Sequence, residues 1–176
     1  APSAGQYILY DKSVLDLKEK VKVDYHRNFM GFIFQAYHLI EDMTVYENIE
    51  TPLIYKGVSG CDRKAMVADL LDRFNIVAKK DLFPQQLSGG QQQLVGIARA
   101  IIGKPKLLLA DEPTGNLQSA QGEMIMETLK TLNDEGMTII QVTHNEKFAG
   151  YGKRIIRLED GYIRKDERKE VTQSQH

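Results

Sequence analysis

The chain has 176 residues, 42% of them hydrophobic and 27% charged, with a formal net charge of −1. That length supports one domain with a sizeable core, and the near-neutral balance gives no electrostatic footprint for nucleic acid. No apolar run approaches the roughly 20 residues that span a bilayer, nothing reads as a secretory signal, and the single cysteine, Cys61, has no internal disulfide partner, which suits a reducing compartment.

In chain order, residues 6–9 read as a short strand, and residues 13–19 as a short helix or loop. Residues 20–27 are basic and polar, a surface stretch. Residues 29–34 are largely apolar, broken only by Gly31, and predict a buried strand that ends at Gln35. His38 reads as a surface or partner-facing residue. Thr44 followed three residues later by Glu47 spells a capping box at a helix start. Met66, Val67, Leu70, Leu71 and Phe74 recur as one helical face over residues 62–74, and residues 75–86 read as a loop.

The next stretch organises the chain. Leu87-Ser88-Gly89-Gly90-Gln91 places small residues at the start of a helix that runs to about Ile102. A helix start offers unpaired N–H donors and the positive end of the dipole, a ready anion site. Gly103-Lys104-Pro105 stops that helix. Residues 106–110 then form a short apolar strand that delivers two adjacent carboxylates, Asp111 and Glu112, at its C-terminal edge, where open α/β sheets bind ligands. A phosphate-facing helix start and a carboxylate pair at a strand end suggest nucleotide and Mg²⁺ chemistry. Beyond them, Ser119 can cap a helix through about Leu132 that Gly136 ends. Residues 137–143 are β-rich and lead to His144, and residues 154–158 and 162–164 read as a hairpin around Asp160-Gly161. The tail from residue 165 onward is polar and expected to be loose.

Leu87-Ser88-Gly89-Gly90-Gln91 followed, one helix later, by Leu107-Leu108-Leu109-Ala110-Asp111-Glu112-Pro113-Thr114-Gly115-Asn116-Leu117 resembles the ATP-binding subunits of ABC transporters. The order of motifs agrees over nearly the whole chain. Phe32-Ile33-Phe34-Gln35, residues 39–53 and residues 111–117 are most similar to the lipoprotein-releasing and macrolide-exporting types. The resemblance implies an α/β fold: a P-loop NTPase-like, mostly parallel sheet core (residues 1–36 and 104–165) with an inserted helical subdomain (residues 37–103) and a polar tail (residues 166–176). It implies ATP and Mg²⁺ as cofactors and ATP hydrolysis that powers export or lipoprotein release. Asp111 would hold Mg²⁺, Glu112 would polarise the attacking water, His144 would reach the γ-phosphate, and Gln35 would touch both metal and water.

In the family, two such domains pair head to tail, so Ser88, Gly89, Gly90 and Gln91 would cap the nucleotide of the second domain. Residues around 37–55 would line a groove for a transmembrane permease subunit, which places the chain at the cytoplasmic face of the inner membrane as a peripheral subunit, with no nucleic acid partner. Gly-x-x-x-x-Gly-Lys-Ser/Thr occurs nowhere in the sequence. The resemblance therefore implies a polypeptide cut after its phosphate loop, with apolar core left exposed. Gln118 stands where the family has an aspartate, and Leu94 where it favours an arginine. These departures keep a second reading open: a degenerate, non-hydrolysing subunit that only supplies its Ser88–Gln91 segment to a partner's ATP. A third, a soluble ABC-type ATPase of repair or translation, would carry long insertions or a second half, and neither is seen.

Overall fold

A computed structural model describes residues 4–9 and 11–169. Its centre is a three-stranded parallel sheet in the order β3-β4-β5, formed by Met30–Phe34 (β3), Leu107–Asp111 (β4) and Thr138–Val142 (β5). Phe34 pairs with Asp111, and Asp111 with Val142, so all three strands end at one level. Gln35, Glu112 and Thr143 each lie one residue past that level. The α/β expectation with a parallel sheet is met, and the reason is visible in the strands: short runs rich in Leu, Ile, Phe and Val, joined by helices.

Successive residues of a strand face opposite sides. One face carries Gly31, Ile33, Leu108 and Ala110, all buried against α4 (Gly89–Ile101) and α5 (Ser119–Asp134). Gly31, the break in the apolar run, is needed there. A Cβ on it would sit 2.5 Å from the Ala100 carbonyl oxygen and 3.0 Å from Leu108 Cδ1. The other face carries Phe32, Leu109, Ile140 and Val142, and it is open: Ile140 is 53% and Val142 61% exposed. Parallel sheets are normally covered on both faces, so this open apolar face matches the expectation of exposed core.

A second helix packs on α4, and a third packs on that second one. The helix α2 (Val45–Tyr55) begins with the expected capping box: Glu47 N–H donates to Thr44 Oγ1 at 3.2 Å, and Thr44 N–H donates to Glu47 Oε2 at 2.7 Å. The next, α3 (Gly60–Arg73), carries Val67 and Leu71 into the core. Val45, Ile49 and Leu53 of α2 join Val95, Ile97 and Ala98 of α4 in one cluster. Asn48 is buried within it and fully bonded: its Nδ2 donates to the carbonyls of Ile40, Met43 and Thr44, and its Oδ1 accepts from Ile40 N–H.

Several local expectations are corrected. Residues 20–27 are at the surface but belong to α1 (Glu19–Phe29), a helix with no buried residue, while residues 14–18 form turns, the loop alternative of the two expected there. A small hairpin, Ile8–Leu9 (β1) with Lys12–Ser13 (β2), precedes it. Residues 75–86 contain two short 3₁₀ turns, Val77–Lys79 and Pro84–Gln86. The N-cap of α5 is Gln118, not Ser119, and it makes no side-chain cap. The short helix α6 (Glu146–Ala149) follows His144. The closing hairpin, Arg154–Glu159 (β6) with Tyr162–Arg168 (β7), turns on Asp160 and Gly161, whose φ angles of +49° and +80° suit a two-residue hairpin turn. Residues 165–168 are thus strand rather than loose tail; Arg154 reaches across to Asp166 at 2.8 Å. Residues 170–176 lie outside the described residues.

Candidate functional site

The carboxylate pair sits where β4 ends. Glu112 leaves the strand with φ of +45°, in the left-handed region that costs a non-glycine residue energy and persists only when its surroundings hold it there. Its backbone is held on both sides: Glu112 N–H donates to Val142 O at 2.9 Å, and Glu112 O accepts from Gly115 N–H at 2.9 Å. Its carboxylate is held by the segment after β5. His144 N–H donates to Oε1 at 2.7 Å, His144 Nδ1 lies 2.8 Å from the same oxygen, and Thr143 Oγ1 donates to Oε2 at 3.1 Å. An ionised Glu112 accepts only, so the Nδ1 contact requires the proton on Nδ1. The rest of the imidazole faces outward, with the side chain 84% exposed. Asp111 is also exposed, and its carboxylate has no hydrogen-bond partner among the described residues.

Gln35 occupies the neighbouring strand end and is locked to the turn after Glu112. Gln35 Nε2 donates to Asn116 Oδ1 at 3.1 Å, and Asn116 Nδ2 donates back to Gln35 O at 3.1 Å. Gly115 makes room for this pair: a Cβ there would lie 2.7 Å from Gln35 Nε2. Gln93, buried in α4, ties the same two loops from below, its Nε2 donating to Pro113 O at 2.7 Å and Phe34 O at 3.3 Å. Sequence reasoning missed Asn116, Gly115 and Gln93. The Gly115-Asn116 pair, which begins three residues after Glu112, was the one available signal.

Ser88 caps α4 as expected. Gln91 N–H donates to Ser88 Oγ at 3.4 Å, and the Gln91 side chain turns back to accept from Ser88 N–H at 3.0 Å. Gly89 is packed against Tyr37 and Leu117, where a Cβ would lie 2.8 Å from the Tyr37 hydroxyl, and Gly90 rests on Gln121. Among the described residues, no hydrogen bond joins Ser88–Gln91 to Asp111, Glu112 or His144, so the two groups of candidate residues make no direct polar contact. Leu94 is buried in the core beneath the Ser88 end of the helix. It also lines a cleft of about 410 Å³ with Ser88, Gln91, Gln121 and Met124.

The donor set can be tested against Mg²⁺. Among the described residues, no group of three or more His, Cys, Asp or Glu side chains could hold a metal. Magnesium does not require such a cage, because it keeps several waters and takes one or two carboxylates plus substrate phosphates. Asp111, with its unengaged oxygens at the strand end, suits that partial role, and Gln35 stands beside it. A second cleft of about 500 Å³ opens between β3 and α2, lined by Arg27, Phe34, Thr51, Tyr55, Lys56 and Arg99, with no acidic residue on its walls. Burial pushes both Lys56 and Arg99 below their ordinary pKa values, and Lys56 Nζ donates to Gly103 O at 2.7 Å.

A parallel α/β sheet with an Asp-Glu pair at its C-terminal edge and a Ser-Gly-Gly helix start nearby defines an ATP-binding-cassette type of domain. The comparisons agree, and the chain belongs to the ABC transporter family, whose family model matches residues 1–115. It is 40% identical to the ABC transporter ATP-binding protein MJ1508 of Methanocaldococcus jannaschii, over 92% of this chain and 72% of that one. It is 42% identical to the macrolide export ATP-binding/permease protein MacB of Campylobacter jejuni, over 98% of this chain but 27% of that one. The chain thus spans about a quarter of the length of such macrolide-export relatives. Among solved structures, it resembles the dimeric post-hydrolysis state of the ATP-binding cassette MJ0796 bound to ADP and Pi, with a TM-score of 0.83, 39% identity, and coverage of 95% of this chain and 74% of that one. CbiO1 from Clostridium perfringens, part of the transporter complex cbiONQ, gives a TM-score of 0.85 at 26% identity, with 95% and 67% covered.

Proposed function

We propose that this chain is part of a nucleotide-binding subunit that binds and hydrolyses ATP and drives a membrane permease, of the macrolide-exporting or lipoprotein-releasing type. The observation that carries this reading is the Glu112 carboxylate, fixed by Thr143 and His144 beside the unengaged Asp111. Asp111 would hold Mg²⁺, which when bound would supply charge neutralisation for the transferring phosphoryl group. Glu112 takes a proton from, or orients, the water that attacks the γ-phosphorus in line with departing ADP. His144 keeps Glu112 aligned through Nδ1 and turns its far edge toward the γ-phosphate. Gln35, at the neighbouring strand end, would help position the same water and hold the metal.

Ser88, Gly89, Gly90 and Gln91 act on a second cassette's ATP in a head-to-tail pair. Their separation from Glu112 within one chain supports this arrangement, because a site built across two chains needs both groups from different copies. In the same reading, residues 1–36 and 104–165 are the nucleotide-side core and residues 37–103 the helical unit. The cleft at Arg27, Lys56 and Arg99 faces the permease at the cytoplasmic side of the inner membrane. A second reading, a subunit that lends only its Ser88–Gln91 segment, is favoured by Leu94 being buried in place of a cation and by Gln118 offering no charge.

The deciding experiment is Glu112→Gln in the native assembly isolated from its source. Retained ATP with phosphate release down by roughly a hundredfold or more supports hydrolysis at this site. Phosphate release unchanged from wild type supports the lending role instead.

A further inference from the structure

The segment after Gln35 is strained and is seated on one stripe of the signature helix. Tyr37 and His38 both have positive φ, +59° and +48°, although neither is glycine. Consecutive left-handed residues persist only where surrounding contacts over-determine them. Those contacts come from α4. Gly89, Gln93, Gly96 and Arg99 fall at helical spacing along one face. Gly89 meets the Tyr37 hydroxyl, Gln93 holds Phe34 O, and a Cβ on Gly96 would lie 3.6 Å from Tyr37 O. Arg99 completes the row: Nη1 donates to His38 O at 2.6 Å and Nη2 to Tyr37 O at 3.0 Å.

Arg99 is an expensive residue to place there. Its side chain is half-buried, lining the cleft beside α2 with its bond to His38 O near solvent, and has no carboxylate partner among the described residues. A half-buried cation without a counter-charge gives up hydration that an apolar residue of similar volume would not. What the guanidinium supplies, and an apolar side chain cannot, is a rigid two-pronged donor for two carbonyls that the left-handed turn aims at one point.

We propose that Arg99 is a positioning residue that clamps Tyr37 and His38 in their left-handed turn and thereby sets the direction of Gln35. Gln35 precedes the clamped pair by two residues, and its own carbonyl is already fixed by Asn116. With the far side of the turn pinned, its backbone is held on both sides, which places its side chain within reach of Asn116 Oδ1. The same clamp makes the signature helix and the Gln35 segment a single mechanical unit. The link to catalysis rests on the ATPase reading above; the clamp itself does not.

The test compares Arg99→Lys and Arg99→Met with wild type in the full-length protein. Lysine keeps the charge and stem but presents a point donor, and methionine keeps only the stem. Backbone carbon shifts of Tyr37 and His38 report the left-handed geometry directly. We expect them to be left-handed in wild type, averaged in Arg99→Lys and lost in Arg99→Met, while Leu94, Asp111 and Glu112 stay in place. Turnover should fall about tenfold in Arg99→Lys, with KM for ATP within about twofold of wild type. Left-handed shifts that persist in both variants overturn the clamp. So do changes spread evenly over α4 with activity falling only as the folded fraction falls. If wild type shows no ATPase activity, the functional reading fails, and the shifts alone still decide the clamp.

Discussion

Glu112 and His144 are bonded twice over: the histidine's backbone N–H and its Nδ1 both meet the same carboxylate oxygen, at 2.7 and 2.8 Å. The backbone bond and the Thr143 hydroxyl survive loss of the ring, whereas the Nδ1 contact and the exposed far edge of the imidazole do not. His144→Ala should therefore lower phosphate release by roughly a hundredfold, the usual scale for a proton-handling or aligning group. Because the ring is 84% exposed, unfolding free energy should change by less than about 1 kcal/mol. Phosphate release in the native assembly and a denaturant titration together check this. A large stability loss would make the ring structural.

Gln35 and Asn116 should be coupled energetically although they are 81 residues apart in sequence. Their two reciprocal bonds are partly open to water, so a double-mutant cycle with Gln35→Ala and Asn116→Ala should return about 0.5–1.5 kcal/mol. Gly115→Ala should mimic the double variant, because its new Cβ would occupy the Gln35 amide position. A coupling near zero would mean that Gln35 is oriented by something else.

Legibility in the sequence followed the range of the interaction. The capping box at Thr44/Glu47 and the Ser88 cap close over three residues, and both were readable, although the return bond from Gln91 was not foreseen. The strands at β3, β4 and β5 announced themselves as apolar runs. Helix α1 did not: Val21 and Val23 both face water, so no buried face imprints a period on its sequence. The extension of β7 is held by charged cross-strand pairs such as Arg154 with Asp166, which look like a polar tail when read alone. Asn116, Gln93 and Arg99 find their partners 20 to 81 residues away, and only the fold brings those partners to them. The positions of Asp111, Glu112 and His144 were visible because strand ends are where such sheets gather polar residues. The bond from His144 to Glu112 was not, since it depends on the register of β4 with β5.

Asn48 is the buried polar residue whose loss should cost most. It satisfies the Ile40, Met43 and Thr44 carbonyls and the Ile40 N–H at once, and it is 0% exposed. Asn48→Leu fills the space but strands those groups, so a loss of about 2–4 kcal/mol is expected. Residues 40–44 lead into α2, so hydrogen exchange in that segment should accelerate first. Stability within about 0.5 kcal/mol of wild type would show that water replaces the amide there.

Gln118 offers the opposite case, a stabilising change. It stands at the N-cap of α5 with extended backbone angles, but its side chain makes no capping bond. An aspartate at that position is short enough to accept from the first-turn N–H groups and carries the charge that the helix dipole favours. Gln118→Asp should raise stability by about 0.5–1 kcal/mol, read as a shift in denaturation midpoint with unchanged slope. A neutral or negative effect would indicate that neighbouring residues compete for the new carboxylate.

The pH dependence of α2 should trace to Glu47. The Thr44 backbone N–H, and then its hydroxyl, hold this carboxylate below its ordinary value of 4.5. A carboxylate depressed on folding binds its proton more readily in the unfolded chain. Its contribution is therefore fully present above the unfolded value and disappears as pH falls through the lower folded one. Glu47→Gln can still accept from Thr44 N–H but cannot titrate. Wild type should thus lose stability relative to Glu47→Gln on acidification through that window and run parallel to it above. Parallel curves throughout would assign the acid sensitivity of this helix to another group.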